Sequence, residues 1–106
     1  ELIIKEEKWR QILSSLVICF FARGIYTKSV VLKTLRTVCL SLSEEELDNI
    51  GEMIYREKFN FKFREGFSFD SLRIPDRIFK TQSPIRGFDE NYMRKAIDKI
   101  KNFFLF

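Results

Sequence analysis

The chain contains no histidine, and this absence removes several classes of catalysis. Histidine is the usual proton shuttle near neutral pH and a very common metal ligand. Without it, neither a Ser-His-Asp nor a Cys-His nucleophilic site can be assembled. We therefore expect no catalytic residue in this chain by itself.

Proline and glycine are also scarce, with two and four residues among 106. Aromatic residues make up 15% of the chain, and twelve of them are Phe. Such a composition excludes a disordered or low-complexity polypeptide. Because an apolar fraction of 45% at this length can build one hydrophobic core, we predict a single helical domain over residues 1–106.

No uncharged run is long enough to cross a membrane as a helix. The longest has twelve residues, from Gln11 to Ala22, whereas a transmembrane helix needs about 20. No secretory signal precedes the two cysteines, so we predict free thiols and a cytoplasmic location. The apolar neighbours of Cys19 and Cys39 favour packing as small buried side chains.

The charge is only weakly basic, at +4, and indicates no particular partner. Carboxylates at Glu44–Glu46 and at Asp89 and Glu90 are typical of first helical turns, so they need no catalytic role. Nucleic acid is a weaker alternative, because no helix-turn-helix or RNA-binding signature is present. It would involve basic residues interleaved with Phe, namely Arg56, Lys58, Phe59, Phe61, Lys62, Phe63 and Arg64.

Apolar residues recur at helical spacing in the first half of the chain. A first helix is predicted from Ile3 to Ala22, fully covered in its second half and ended by a left-handed Gly24. Thr27 is predicted to cap a second helix. Ser43 and Glu46 form a capping box that begins a third. The predicted buried faces are Trp9, Ile12, Leu13, Leu16, Val17 and Phe20, then Val31, Leu35 and Val38, then Leu47, Ile50, Met53 and Ile54.

The second half is less regular. The alternation of Phe59, Phe61 and Phe63 fits a half-buried strand, but a helix end that runs into an ordered loop is preferred. Pro75 suits a short helical segment through Phe79, and Pro84 and Gly87 indicate a loop. Asp89 is predicted to cap a last helix with the face Tyr92, Ala96, Ile100 and Phe103, followed by an apolar tail over 103–106. The predicted fold is all-α, with four to five helices in an orthogonal bundle and a long ordered loop before the last helix.

Three strings in the second half resemble one protein family. They are Gly51-Glu52-Met53-Ile54-Tyr55, then Phe61 with Arg64-Glu65-Gly66-Phe67-Ser68, then Ile74-Pro75-Asp76-Arg77. They resemble the C-terminal helical region of the tungsten-containing aldehyde ferredoxin oxidoreductases. That family shows Gly-Glu-Arg-Ile-Tyr, Phe-Asn-Val-Arg-Glu-Gly-Phe and Leu-Pro-x-Arg at the same spacing. Upstream, residues 14–19 resemble its Asp-x-x-Gly-Leu-Cys segment.

The resemblance implies roles for four residues. Cys19 stands where the family has one ligand of a [4Fe-4S] cluster, and Ser14, Val17 and Ile18 stand at positions beside the tungstopterin. Ser14 replaces an aspartate and Val17 a glycine. Because such a cluster normally needs four thiolates, we expect no cofactor in the isolated chain. For Cys19 the alternative is a buried packing role, and for Arg64-Glu65-Gly66 it is a structural turn in place of a pterin-side or substrate-channel element.

Two functions follow as hypotheses. The chain is a non-catalytic relative of this C-terminal domain that acts as a structural or interaction module, as a homo-oligomer or on a larger cofactor-bearing subunit. Alternatively it completes the site of a split tungstopterin and [4Fe-4S] aldehyde oxidoreductase. The composition also hints at a thermophilic source.

Overall fold

In a computed structural model that describes residues 1–81 and 89–105, all regular structure is helical. Five α-helices and two short 3-10 helices, η1 and η2, follow one another along the chain. In order they are α1 (Leu2–Ser15), η1 (Phe20–Ala22), α2 (Lys28–Thr37), α3 (Glu44–Arg64), η2 (Phe69–Ser71), α4 (Arg77–Lys80) and α5 (Glu90–Leu105). The all-α prediction is confirmed, and the strand alternative for Phe59–Phe63 is wrong because these residues extend α3.

The chain forms two compact units, Glu1–Lys58 (unit 1) and Phe59–Phe106 (unit 2), and α3 runs across the boundary. That both units belong to one domain stays a prediction. The predicted loop residues Pro84 and Gly87 and the terminal Phe106 lie outside the described residues.

The core of unit 1 is built where α1, α2 and α3 meet. Five side chains form it, and each is at most 8% exposed: Ile12, Leu13, Val31, Leu32 and Leu47. Six partly buried side chains pack around them: Trp9, Ile18, Leu35, Leu42, Ile50 and Ile54. Most of these positions follow from helical periodicity, because the stripe at three- and four-residue spacing is the one that turns inward.

The first helix is shorter than predicted. It ends at Ser15, and the apolar residues that follow form a turn and η1 instead of a covered helix end. Val17 and Phe21 are more than nine-tenths exposed. The left-handed residue that ends α1 is Val17, with φ of 58°, and not Gly24, whose backbone has no positive φ.

Four more residues of the predicted faces are exposed. Leu16 and Val38 lie just beyond the ends of α1 and α2, and Met53 and Tyr92 lie on the outer sides of α3 and α5. The capping predictions are confirmed. The Thr27 hydroxyl accepts from the Val30 N–H, at the start of α2.

The start of α3 is the reciprocal capping box that the sequence predicts. The Glu46 N–H donates to the Ser43 hydroxyl at 3.1 Å, and the Ser43 N–H donates to the Glu46 carboxylate at 2.7 Å. The bond from the Ser43 backbone, followed by that from its hydroxyl, lowers the pKa of Glu46. Leu42, just before the box, packs against the core cluster that contains Leu47.

Unit 2 is organised by stacked phenylalanine rings. Phe59 is its most buried member, at 8% exposed, and Phe104 of the apolar tail stacks on it with ring centroids 3.8 Å apart. Phe69 stacks on Phe59 at 5.7 Å, and Phe63 and Phe67 complete the group. The tail therefore docks through Phe104, while Leu105 stays exposed.

The last helix begins as predicted, and the segment before it is partly helical. The Asp89 carboxylate accepts from the Asn91 N–H at 2.8 Å, as a helix cap does. Within the predicted loop, η2 and α4 order the chain as far as Thr81. No helix in the described part of the chain is long and apolar enough to span a membrane.

Ser43→Ala is expected to lower the free energy of unfolding by about 1 kcal/mol, because it leaves an N-terminal N–H of α3 without its acceptor. Urea denaturation followed by circular dichroism measures the change. Ser41→Ala, two residues earlier and exposed outside the box, is the matched control and should change it by less than about 0.5 kcal/mol. Equal effects of the two substitutions would contradict the capping role.

Candidate functional site

The last turn of α1 and the residues that link it to η1 hold all four residues for which the family resemblance implies a role: Ser14, Val17, Ile18 and Cys19. The Val17 N–H donates to the Ser14 carbonyl at 3.0 Å, and the Ile18 N–H donates to the Leu13 carbonyl at 2.9 Å. These two bonds with a left-handed Val17 form a Schellman cap, a helix ending in which the left-handed residue is usually glycine. The backbone therefore takes a glycine-type conformation without glycine.

The turn fixes Ile18 and leaves the other three residues exposed. Ile18 packs against the core of unit 1 and anchors the turn to α1. Ser14, Val17 and Cys19 face solvent. The prediction of a buried, packing Cys19 is wrong, because the early end of α1 leaves Leu16, Val17 and Cys19 exposed and turns only Ile18 toward the core.

Cys39 is exposed as well, so its predicted packing role is also wrong. It is the left-handed residue, with φ of 63°, in a second Schellman cap at the end of α2. The Cys39 N–H donates to the Arg36 carbonyl and the Leu40 N–H donates to the Leu35 carbonyl, at 3.1 and 3.0 Å. Both thiols are free.

The ring of Phe20, next to Cys19, is in contact with two arginine side chains, and this contact was not predicted from the sequence. Arg10 and Arg23 each lie 4.2 Å from the centroid of its ring, within the range of a cation–π contact. Arg23 also donates to the Phe20 carbonyl at 3.2 Å, and Arg10 pairs with Glu7 at 3.1 Å. Arg10 Nε is buried without a hydrogen-bond partner. The spacing of three residues between Phe20 and Arg23 could have predicted this contact, because side chains at i and i+3 meet on a helical turn.

The described residues do not supply a complete metal site. Residues 1–81 and 89–105 contain no group of three or more His, Cys, Asp or Glu side chains that could hold a metal ion. Since an iron–sulfur cluster of the [4Fe-4S] type takes four ligands, the donor set around Cys19 does not fit one.

Gly51 of α3 also has a clear geometric role in unit 1. It is buried, and a Cβ built on it would lie 2.8 Å from the Lys8 carbonyl oxygen and 3.2 Å from Ile12 Cγ1. Such a distance to a backbone atom is too short for any side chain. Gly51 therefore allows α1 and α3 to approach closely.

Comparison with known families assigns the chain. The family model described as aldehyde ferredoxin oxidoreductase, domains 2 and 3, matches residues 1–103. The chain belongs to the aldehyde ferredoxin oxidoreductase family. Neither the curated proteins nor the solved structures give a match to the chain.

The Gly-Glu string of this family holds α1 and α3 together. Next to Gly51, the Glu52 carboxylate pairs with Lys8 of α1 and accepts from Arg56 at 2.9 Å. Its hydrogen bond with Lys8, followed by that with Arg56, lowers the pKa of Glu52. Tyr55 ends the string and is buried, and burial followed by the nearby Glu7 carboxylate raises the pKa of its phenol. The ion pair with Lys8 therefore joins α1 to α3.

The second family string ends α3 with a third Schellman cap. Gly66 takes φ of 90°, its N–H donates to the Phe63 carbonyl at 3.0 Å, and the Phe67 N–H donates to the Lys62 carbonyl at 2.9 Å. The side chains of Arg64 and Glu65 are exposed, with Arg64 Nε 3.9 Å from Glu65 Oε1. These contacts support the structural-turn interpretation of Arg64-Glu65-Gly66.

The third family string starts α4. The Pro75 carbonyl accepts from the Ile78 N–H at 2.9 Å, so the proline lies at the turn that leads into Arg77–Lys80. The exposed Asp76 side chain lies 3.9 Å from Lys80. The string therefore positions a helix start.

Val17→Gly is expected to raise the free energy of unfolding by about 0.5–1 kcal/mol. Relief of about 1–2 kcal/mol of left-handed strain outweighs roughly 0.5–1 kcal/mol of added chain entropy. Val38→Gly is the matched control, because Val38 is also an exposed valine at a helix end but has a φ of −106°. This substitution should lower the free energy of unfolding. Urea unfolding of both variants tests this, and a stability loss in Val17→Gly would contradict the strain.

Gly51→Ala is expected to destabilise the protein by about 1–2 kcal/mol, since overpacking against the Lys8 carbonyl exceeds the gain in helix propensity of about 1 kcal/mol. Gly24→Ala is the control, because nothing lies within 4 Å of a Cβ at that position. Thermal unfolding of the two variants should differ clearly. A neutral or stabilising Gly51→Ala would show that α1 and α3 are not in close contact there.

Glu52 should make stability depend on pH in the acid range. Its folded pKa lies below the ordinary value of 4.5, so its contribution is present above that pH and is lost as the pH falls through the folded pKa. Glu52→Gln should reduce the slope of unfolding free energy against pH below 4.5. Glu6→Gln, an exposed α1 carboxylate without an ion pair in the described part of the chain, should leave the slope nearly unchanged.

Proposed function

We propose that this polypeptide is a non-catalytic interaction module of the aldehyde ferredoxin oxidoreductase family, which docks on a larger cofactor-bearing subunit. The observation that carries the proposal is the exposure of Val17, Phe21 and Ile25 around the turn after α1, at 91%, 92% and 72%. Large apolar side chains grouped on a surface are typical of protein contacts. By itself the chain is proposed to bind no tungstopterin and no iron.

The contacts of the family strings support a structural role. Gly51 and Glu52 join α1 to α3, and Gly66 ends α3. These contacts hold the fold together. The alternative of a homo-oligomer uses the same exposed residues.

A second candidate is a split aldehyde oxidoreductase, and the exposure of Cys19 favours it. Cys19 follows a turn whose left-handed residue 17 corresponds to the family glycine, so the thiol is accessible to a partner chain. A partner would bring the other ligands and the pterin pockets, and this chain would add Cys19, with Ser14, Val17 and Ile18 beside the pterin. The tungstopterin and the iron–sulfur cluster of such a complex would supply the oxidation of an aldehyde to a carboxylic acid, with electrons passed to ferredoxin.

A reducing cytoplasmic location fits both proposals. Both cysteines are free and exposed, and exposed thiols persist in the cytoplasm because glutathione and thioredoxin keep them reduced.

The experiment is purification of the full chain, alone and from its native cells, with iron and tungsten analysis and an aldehyde oxidation assay. The module proposal expects a colourless, inactive isolated chain and a native complex with a larger subunit. Cys19→Ser and Cys39→Ser form a matched pair of exposed thiols. Loss of iron from the complex only in Cys19→Ser would establish the split enzyme, and equal iron in both would favour the module. Aldehyde oxidation by the solitary chain would contradict both.

A further inference from the structure

One long stretch of unit 1 carries basic side chains but no acidic ones. Residues 8–43, which we call the acid-free segment, contain no Asp and no Glu. Its basic residues are Lys8, Arg10, Arg23, Lys28, Lys33 and Arg36. The segment covers most of α1, the exposed turn and the whole of α2.

Carboxylates from outside the acid-free segment neutralise three of these cations. Lys8 pairs with Glu52, Arg10 pairs with Glu7, and Lys28 pairs with Asp48 at 2.5 Å.

The other three, Arg23, Lys33 and Arg36, are exposed and have no ion pair among residues 1–81 and 89–105. The excess positive charge of the segment therefore faces solvent.

The exposed apolar side chains lie in the same segment, around one of these cations. Arg23 falls between Phe21 and Ile25 in sequence, and its contacts with Phe20 hold it in place. A fixed arginine among exposed aromatic and aliphatic side chains resembles the residue composition of protein-interface hot spots.

We propose that the acid-free segment binds an acidic protein surface, a partner with an apolar recess rimmed by Asp and Glu. This inference rests on the proposed function, and it names the chemistry of the partner. The segment has three exposed cations without an ion pair in the described part of the chain, whereas anionic membranes are bound by clusters of about four to eight basic residues. The most exposed side chains of the turn are apolar, whereas nucleic acid binding depends on many phosphate contacts.

The test is photo-crosslinking in native-cell extract with the full chain. Phe21 is replaced by p-benzoylphenylalanine, and in a matched control the same amino acid replaces Tyr92, an exposed aromatic residue of unit 2. Crosslinked peptides are mapped by mass spectrometry. The expected result is one protein, crosslinked from position 21 and not from 92, at a site flanked by Asp and Glu.

Charge-reversal variants test the electrostatic part. Arg23→Glu, and separately Lys33→Glu with Arg36→Glu, should lower the crosslinking yield from position 21 by about tenfold through like-charge repulsion. Lys95→Glu with Lys99→Glu makes the same charge change on exposed residues of α5 and should leave the yield within about twofold. Circular dichroism of each variant confirms that it is folded.

The outcomes separate the two proposals. Crosslinks to lipid, to nucleic acid or to a basic protein surface would contradict the proposal that the segment binds an acidic protein surface. A crosslink to a second copy of this chain at a site without Asp or Glu would contradict it as well. A protein crosslinked only from position 92 would overturn it too, but would leave the interaction module standing. An absence of crosslinks from both positions would contradict the interaction module itself.

Discussion

The close approach of α1 to α3 at Gly51 is the constraint on which unit 1 depends. A Cβ at this position would meet the Lys8 carbonyl at 2.8 Å, so only glycine allows the two backbones to lie this near. The same approach brings Glu52 to Lys8, and it places Ile12 beside Gly51 while Ile12 and Leu13 fill the core. The family string that begins with Gly51 is thus explained by packing and by a partly buried ion pair.

A second constraint is the way the three longer helices before residue 70 end. α1, α2 and α3 all finish in Schellman caps, which need one residue in the left-handed region. Only α3 provides glycine there, at Gly66, whereas Val17 and Cys39 accept positive φ values. The helices therefore end where the chain must turn, whether or not glycine is present. At the end of α1, we infer that the packing of Ile18 against the core offsets the unfavourable backbone conformation of Val17.

Membership of the aldehyde ferredoxin oxidoreductase family and the exposed turn after α1 bear on function in different ways. The family strings in the second half of the chain are used in helix packing and helix ends. In the turn, Val17 and Cys19 of the family-related positions are exposed, and so is the neighbouring Phe21. This exposure supports the proposal that the chain acts through a partner, and Arg23, Lys33 and Arg36 support the proposal that the partner surface is acidic.

The sequence by itself determined the helices and their starts. Periodicity identified Ile12, Leu13, Val31 and Leu47 as core, and the Ser43–Glu46 box fixed the start of α3, because both signals act within a few residues of chain. Only the tertiary structure decided where α1 ends and that both cysteines are exposed. The apolar residues of 16–22 could be predicted from the sequence, but whether they are buried could not. Their burial depends on packing partners that are distant in sequence. The role of Gly51 and the pairing of Lys8 with Glu52 were likewise invisible, since they join positions more than forty residues apart.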